Sequence, residues 1–402
     1  MGRPPIDPRE LRAHYSSFLT APPSSGASGS SRRILLTGHS HQAWPDVARA
    51  GQDRAFDDAA RHVDDKWSRV FEIQDELRSY IADRIPGVRP RELAFASNTH
   101  ELVVRFLSAL DLERRPHLVT TTGEFHSMHR QLRRLAEAGL EVTWVDAQPV
   151  ETLADRLAAE VRGDTAAVLV SSVLFETSSI VPSLRAVADR AQREGARVLV
   201  DAYHAWHVVP FSLEDVGGDE VFFVAGGYKY AQWGEGTCFL RVPGGSGLRP
   251  VYSGWFAGFT ELDAPRDGSR PVGYDADGAS SFAGSTFDPA SFYRAVAVTR
   301  FARAQDLSAE RLRACSLAQT RRIAEAAGEM PGMTLLTPPG DDRRGGFVAL
   351  GTDRAGSFVS ALRSEGIYAD ARGSILRLGP APYVTDDEID AAMRALGVLA
   401  RA

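Results

Sequence analysis

Short apolar runs alternate with longer amphipathic segments through the middle of the chain. Apolar runs of this length predict buried strands, and the amphipathic segments between them predict helices. The predicted strands are residues 91–96, 117–121, 141–145, 166–171, 198–200 and 221–225. Strands that alternate with helices favour a mainly parallel sheet with right-handed crossovers. The pattern therefore predicts an α/β fold with helices flanking the sheet.

The C-terminal part of the chain has a different pattern, in which helical segments outnumber strands. A helix begins near residue 289, and strands are predicted at 346–351 and 375–378. Helices at 355–365 and 385–399 complete a smaller α+β domain. We therefore divide the chain into an N-terminal arm (1–45), a large domain (46–285) and a small C-terminal domain (286–402).

The last two strands of the large domain each end at polar residues. Asp201 follows the run 198–200, with His204 close behind, and Lys229 follows the run 221–225 after a Gly-Gly-Tyr sequence. Ligands of an open α/β sheet bind beyond the carboxyl ends of its strands. We therefore expect the carboxylate and the amine to face one site.

An aspartate and a lysine in this arrangement indicate pyridoxal phosphate. The cofactor needs a lysine amine for covalent attachment and a carboxylate to keep its ring nitrogen protonated. Taken singly, Asp201 could cap a helix and Lys229 could be a solvated side chain. However, Lys66 and Lys229 are the only lysines in the chain, so a lysine in an apolar turn favours the cofactor.

Composition limits the other possible classes of function. The chain has 402 residues, a net charge of −6 and a pI near 6.0, which gives no general attraction to nucleic acid or anionic membranes. Its two cysteines cannot form a disulfide framework. The N-terminal residues lack the apolar core of a signal peptide, and no run is long enough to span a membrane. We therefore expect a cytoplasmic protein.

Three histidine pairs make a metal-dependent hydrolase an alternative. They are an HxH pair at residues 39–41 and HxxH pairs at 126–129 and 204–207. None has the one-turn spacing of the HExxH zinc motif, so a metal site is the weaker hypothesis.

Residues 97–101 form a small polar turn between a predicted strand and a predicted helix. Free backbone N–H groups at a helix start attract anions, so the turn predicts a phosphate site. A plain helix cap at Asn98 or Thr99 would give the same sequence pattern.

The two strand-end motifs resemble those of a known family. The sequence AxHxW follows the strand aspartate and GYKY follows the next strand. Both resemble motifs of the class V aminotransferase superfamily of fold-type I enzymes, most closely kynureninase. The resemblance implies that Thr99 and His100 hold the cofactor phosphate and that the Phe125 ring covers the pyridine ring. It places the hydroxyl of Ser171, or of Ser172, near the cofactor.

Further matches to kynureninase extend over nearly the whole chain. Ser40 lies five residues before Pro45, and His62 lies five residues before Trp67, as in the family's substrate-binding segments. The resemblance implies that Arg377 holds the substrate α-carboxylate. It also implies a homodimer in which the SGWF segment, with Trp255, contributes to the partner's site. The predicted substrate residues are Arg377, Ser40, His62, Trp255 and Thr286.

One departure from the family concerns the substrate. Thr286 stands where the kynureninases have the asparagine that helps to recognise the aryl ketone. The predicted cofactor residues are Thr99, His100, Phe125, Ser171, Asp201, His204, Tyr228, Lys229, Trp255 and Thr286.

The resemblance implies a pyridoxal-phosphate enzyme that cleaves the Cβ–Cγ bond of kynurenine, a substituted kynurenine or another β-acyl-alanine by hydrolysis, giving alanine and an acid. The predicted catalytic residues are Lys229 as the base at Cα, Asp201 at the ring nitrogen and Tyr228 as proton donor. Transamination or β-elimination of a specialised α-amino acid needs the same groups and stays open. The expected partners are a small α-amino acid and a second copy of the chain, with no nucleic acid or membrane.

Overall fold

The computed structural model describes residues 5–20, 33–263, 265, 268–275 and 278–402. Part of the predicted N-terminal arm, residues 1–4 and 21–32, lies outside the described residues. The helices are α1 (Pro8–Arg12), α2 (Ser16–Leu19), α3 (Val47–His62), α4 (Lys66–Arg84), α5 (Thr99–Ser108), α6 (His126–Glu137), α7 (Leu153–Glu160), α8 (Leu184–Glu194), α9 (Ala290–Ala304), α10 (Ala309–Gly328), α11 (Ala355–Ser364) and α12 (Asp386–Arg401).

The strands follow the predicted alternation through the middle of the chain. They are β1 (Ile34–Leu35), β2 (Leu93–Ala96), β3 (His117–Thr121), β4 (Glu141–Val145), β5 (Thr165–Ser171), β6 (Arg197–Asp201), β7 (Phe222–Gly226), β8 (Cys238–Arg241), β9 (Thr334–Leu335), β10 (Val348–Gly351), β11 (Ile367–Tyr368), β12 (Asp370–Arg372) and β13 (Ile375–Leu378).

The main sheet of the described chain has the strand order β2-β8-β7-β6-β5-β3-β4. Strands β4, β3, β5, β6 and β7 pair in parallel, whereas β8 runs antiparallel to both β7 and β2. The predicted mainly parallel α/β sheet is therefore confirmed. The order of the strands reverses between β3 and β5, and such a switch point opens a crevice for ligands.

The sheet is buried on both faces, as expected of a parallel sheet. Successive side chains of a strand point to opposite faces, and β5 shows the alternation. Val168 and Val170 join the core beneath α7 and α8, while Ala167 and Leu169 join the core beneath α5 and α6. Helices on both faces therefore hold the strand ends in place.

A second, antiparallel sheet of order β12-β13-β10-β9 lies in the C-terminal part of the chain. Helices α10 and α11 pack against it, and α12 packs against these two helices, as the smaller α+β pattern predicted. The N-terminal strand β1 pairs in parallel with β11, and α9 packs against α3 and α4. The exact domain boundaries at residues 45 and 285 stay a prediction. No helix in the described ranges has both the length and the apolar character that a membrane span requires.

Candidate active site

Lys229 lies in the turn after β7, and its side chain is only 4% exposed. Its Nζ atom lies 2.8 Å from Nε2 of His204. Burial lowers the pKa of Lys229 to about 7, although the nearby Asp201 carboxylate acts in the opposite direction. A substantial fraction of the amine is therefore neutral near pH 7, which is the form that attacks a carbonyl group.

Three aromatic rings surround the Lys229 amine. Its Nζ lies 4.8 Å from the ring centre of Tyr203, 5.1 Å from that of Phe125 and 5.7 Å from that of Tyr228. Phe125 is placed there because it is the N-cap residue of α6, in the turn that follows β3. Flat apolar walls around an amine suit a planar aromatic group, which stacks favourably on such rings.

Asp201 ends β6 next to this amine. Its Oδ1 accepts a 2.8 Å hydrogen bond from the Tyr203 N–H, which fixes the carboxylate. Burial raises the pKa of Asp201, and the Tyr203 N–H and the Lys229 cation oppose that effect. A buried carboxylate is stable in its charged form only beside a cationic partner. A protonated pyridine nitrogen is such a partner, so this pair of residues fits pyridoxal phosphate.

Glu124 is a buried carboxyl group that the sequence analysis missed. Its Oε2 accepts a 2.6 Å hydrogen bond from the Ser171 hydroxyl, and its Oε1 accepts the Ser171 N–H at 2.9 Å. Burial raises the pKa of Glu124 to about 7, against the effect of these hydrogen bonds. The Ser171 hydroxyl therefore donates to Glu124, whereas that of Ser172 donates to the Asp201 carbonyl at 3.3 Å. The sequence did offer one signal for Glu124, because it directly precedes Phe125, the residue predicted to stack on the cofactor ring.

The predicted phosphate site lies at the N-terminus of α5. Asn98 caps this helix, and its Oδ1 accepts the Glu101 N–H at 2.9 Å. Thr99 is the first helical residue, and His100 follows it on the exposed side of the turn. The cap leaves other first-turn N–H groups available, and together with the helix dipole these fit a phosphate.

Arg377 lies on β13 and is almost completely buried. Its Nε and Nη2 donate to the two oxygens of Asp370 at 2.9 and 2.5 Å, and its Nη1 donates to the Phe175 carbonyl at 2.6 Å. The positive charge of Arg377 contributes, after burial, to the lowered pKa of His204. The His204 ring centre and the Arg377 guanidinium carbon lie 6.1 and 5.6 Å from the centre of the Phe347 ring, so Arg377 lies close to the Lys229 group.

Ser40 approaches this pocket from the segment after β1. Its hydroxyl lies 3.3 Å from Nδ1 of His41, and the His41 ring stacks on Tyr228 with 5.3 Å between the ring centres. Burial raises the pKa of Tyr228 to about 12. The Tyr228 phenol is therefore protonated at neutral pH, in the form that donates a proton.

Trp255, Thr286 and His62 are placed apart from the Lys229 group. Trp255 Nε1 donates to the Thr286 hydroxyl at 3.1 Å, and the Trp255 side chain is 43% exposed. His62 is the last residue of α3. Within the described part of a single chain, no recorded hydrogen bond or ring contact joins these three residues to Lys229. Their predicted role at a shared site depends on a second chain.

The two thiols and the three histidine pairs are the other groups that the sequence offered for chemistry. Burial raises the pKa of Cys238 and of Cys315 to about 12, so neither side chain is an activated thiolate. Among the residues that the structure describes, no group of three or more His, Cys, Asp or Glu side chains is arranged to hold a metal ion.

Comparisons with known proteins show which families this chain is similar to. Residues 312–396 match the family model described as kynureninase C-terminal domain. The chain is 27% identical to isopenicillin N epimerase of Streptomyces clavuligerus, with 79% of this chain and 82% of the relative covered. It is 24% identical to kynureninase of Geobacillus thermodenitrificans, with 79% and 76% covered. An uncharacterized aminotransferase of Bacillus subtilis is also 24% identical, with 85% and 88% covered.

Solved structures show the same fold. The cysteine desulfurase CsdA of Escherichia coli superposes with a TM-score of 0.78 at 15% identity, covering 98% of each chain. A mutant of C-DES with glycine covalently linked to its PLP cofactor has a TM-score of 0.78 at 17% identity, covering 91% of this chain and 96% of that chain. Together with the motifs at Asp201, Lys229 and Arg377, these similarities support a kynureninase-like member of the class V aminotransferase superfamily, with the fold of the fold-type I enzymes and pyridoxal phosphate as its cofactor.

Proposed function

We propose that this enzyme hydrolyses the Cβ–Cγ bond of a β-acyl-alanine, giving alanine and the acid of the acyl group. The observation that carries the proposal is the pocket in which the Lys229 amine faces His204 at 2.8 Å and shares its surroundings with Asp201 and Arg377. The match to the kynureninase C-terminal domain includes Arg377. Pyridoxal phosphate, when bound, would supply an electron sink for negative charge at Cα.

Each side chain of the pocket has a separate task in this proposal. The Lys229 amine would hold the cofactor and would act as the base that removes the proton from Cα of the substrate. Asp201 keeps the ring nitrogen protonated, while His204 orients the amine. The neutral Tyr228 phenol donates a proton to the leaving fragment. Water adds to the acyl carbonyl, so the products contain one more water than the substrate.

A second copy of the chain completes the site in this proposal. Phe259 is partly exposed and lines a cleft of about 970 Å³ together with Phe71 and Thr286, and the partly exposed Trp255 donates a hydrogen bond to Thr286. Exposed aromatic side chains beside a cleft of this kind mark a surface for association. We propose that they pack against the partner subunit, with Trp255 reaching the partner's cofactor site.

Mixing two inactive variants tests the shared site. Lys229→Ala damages the amine side of a site, and Trp255→Ala damages the side that the partner contributes. After subunit exchange, about one quarter of the sites combine two intact sides, and a matching part of the activity should return. Recovery is measured by enzyme assay after joint unfolding and refolding. A mixture of Lys229→Ala and Asp201→Ala is the control, because both residues lie on one side. A fully active monomer, found by light scattering, contradicts the shared site.

Thr286 indicates a shifted substrate. The threonine hydroxyl is shorter than the asparagine amide of the kynureninases and offers one fewer donor hydrogen. Loss of a hydrogen bond to a buried carbonyl costs about 1–3 kcal/mol, or roughly a tenfold to hundredfold loss in efficiency.

We therefore expect weak wild-type activity on kynurenine, better activity on a substituted analogue, and improved kynurenine cleavage in Thr286→Asn. The fluorescence of released anthranilate reports the rate. If the wild-type enzyme cleaves plain kynurenine efficiently and Thr286→Asn does not improve that rate, the prediction of a shifted substrate is wrong.

Transamination or β-elimination is the second candidate, because the uncharacterized Bacillus subtilis aminotransferase covers 85% of this chain. Desulfuration through a protein thiol is disfavoured, since Cys238 and Cys315 have raised pKa values. Two buried or half-buried free thiols also suit a reducing compartment, so we propose a cytoplasmic location.

A further inference from the structure

The acidic partner of Arg377 is fixed by the fold. Asp370 on β12 and Arg377 on β13 are directly opposite each other in an antiparallel ladder. Such cross-strand neighbours have adjacent side chains. The Asp370 carboxylate holds the Nε and Nη2 atoms of the guanidinium, so the strand register itself sets the orientation of Arg377.

A buried histidine holds Asp370 in turn. His39 Nε2 lies 2.8 Å from Asp370 Oδ1, and the His39 ring stacks on Phe347 with 4.6 Å between the ring centres. The Arg377 guanidinium carbon lies 5.6 Å from the same Phe347 ring. Because burial lowers the pKa of His39 to about 4, the imidazole is neutral and donates one N–H to the carboxylate. Phe347, His39, Asp370 and Arg377 thus form one packed group, here named the arginine clamp.

The contacts of the clamp leave two guanidinium N–H groups for a ligand. Arginine has five N–H groups, one on Nε and two on each Nη. Asp370 occupies the edge formed by Nε and Nη2, and the Phe175 carbonyl takes one N–H of Nη1. One N–H therefore remains on each Nη atom, and two donors on neighbouring nitrogens match the two oxygens of a carboxylate.

The charges around Arg377 also favour a carboxylate as its ligand. A buried guanidinium without a partner is costly, so Asp370 stabilises Arg377 when no substrate is bound. The charges of Arg377 and Asp370 cancel within the clamp, but Arg372, a neighbour outside it, places Nη2 3.5 Å from Asp370 Oδ2 with its side chain 39% exposed. The clamp and Arg372 together therefore carry a net positive charge. An incoming anion therefore meets N–H donors of Arg377 in a fixed orientation and a positive charge that attracts it.

We propose that Asp370 is a positioning residue, which holds Arg377 by one edge so that the other edge receives the α-carboxylate of an amino-acid substrate. This inference rests on the proposed function, in which Arg377 binds that carboxylate. A flexible arginine loses rotational freedom on binding, and Asp370 removes that freedom in advance.

The test compares two ligands of the holoenzyme that differ in the carboxylate. L-Alanine and ethylamine are titrated while the cofactor absorbance is recorded, and each gives a Kd. Asp370→Asn should raise the Kd of alanine about tenfold to a hundredfold and change that of ethylamine by less than about twofold. Asp390→Asn is the matched control, because Asp390 also binds both edge nitrogens of an arginine, Arg322, at an exposed position. It should change neither value.

Further variants separate the possible failures. A fall in the alanine Kd of Asp370→Asn, no change, or equal rises for both ligands overturns the positioning role. If Asp370→Asn does not fold, His39→Phe keeps the ring on Phe347 but loses the hydrogen bond to Asp370, and a rise confined to alanine is again expected. If the alanine Kd of His39→Phe does not rise in this way, the positioning role is overturned. Arg377→Gln tests the proposed function separately: equal Kd changes for alanine and ethylamine mean that Arg377 does not bind the carboxylate.

Discussion

Lys229→Ala is expected to abolish turnover and the covalent retention of pyridoxal phosphate. The Lys229 amine is the only lysine amine among the rings of Phe125, Tyr203 and Tyr228 in the described chain. The variant loses both the attachment point and the base that removes the Cα proton, so the rate should fall by about four orders of magnitude or more. Borohydride reduction, denaturation and peptide mass spectrometry measure the attached cofactor.

Lys66→Ala is the matched control for that variant. Lys66 is the only other lysine of the chain, and it lies at the start of α4 against the Trp67 ring. The control should keep its activity, and its reduced cofactor should map to the peptide that contains Lys229. A cofactor that stays attached in Lys229→Ala, or that maps to Lys66, contradicts the assignment.

Asp201→Asn is expected to bind the cofactor but to lose about three orders of magnitude in turnover. The amide keeps the shape of the carboxylate and can still accept the Tyr203 N–H. It cannot hold a protonated ring nitrogen by charge, so negative charge at Cα is stabilised less. Turnover is measured at saturating cofactor, and cofactor content is measured by absorbance after alkaline release.

Asp146→Asn provides the control for local backbone effects. Asp146 follows β4, and its Oδ1 accepts the N–H of the residue two positions later, Gln148, as Asp201 does with Tyr203. Asp146 is exposed and should tolerate the change. Near-normal turnover in Asp201→Asn would show that its charge does not act on the cofactor ring.

Local sequence patterns were enough to predict which polar side chains follow the ends of the strands. Asp201 and Lys229 stand at the ends of apolar runs, and those runs became β6 and β7 within a residue or two of the predicted bounds. Strands β3 and β4 begin and end where the pattern placed them. Burial on both faces of a parallel sheet leaves a strong signal in the sequence.

Contacts between distant parts of the chain could not be predicted in this way. His39 meets Asp370 across 331 positions, and Glu124 meets Ser171 across 47. The first pair depends on the pairing of β1 with β11 and on the bridge from Thr37 to Gly379, and the second depends on which strand lies beside β3. Pairing of this kind is set by the whole fold, so the arginine clamp and the buried Glu124 became visible only in the structure.

Product analysis tests the central claim most directly. The holoenzyme, and Thr286→Asn beside it, are incubated with kynurenine and 3-hydroxykynurenine until the substrate is consumed, and the products are quantified by NMR. Hydrolysis of the Cβ–Cγ bond predicts alanine and the aromatic acid in equal amounts. A 2-oxo acid that retains the aryl ketone, or pyruvate with ammonia, in place of alanine would contradict the proposed reaction.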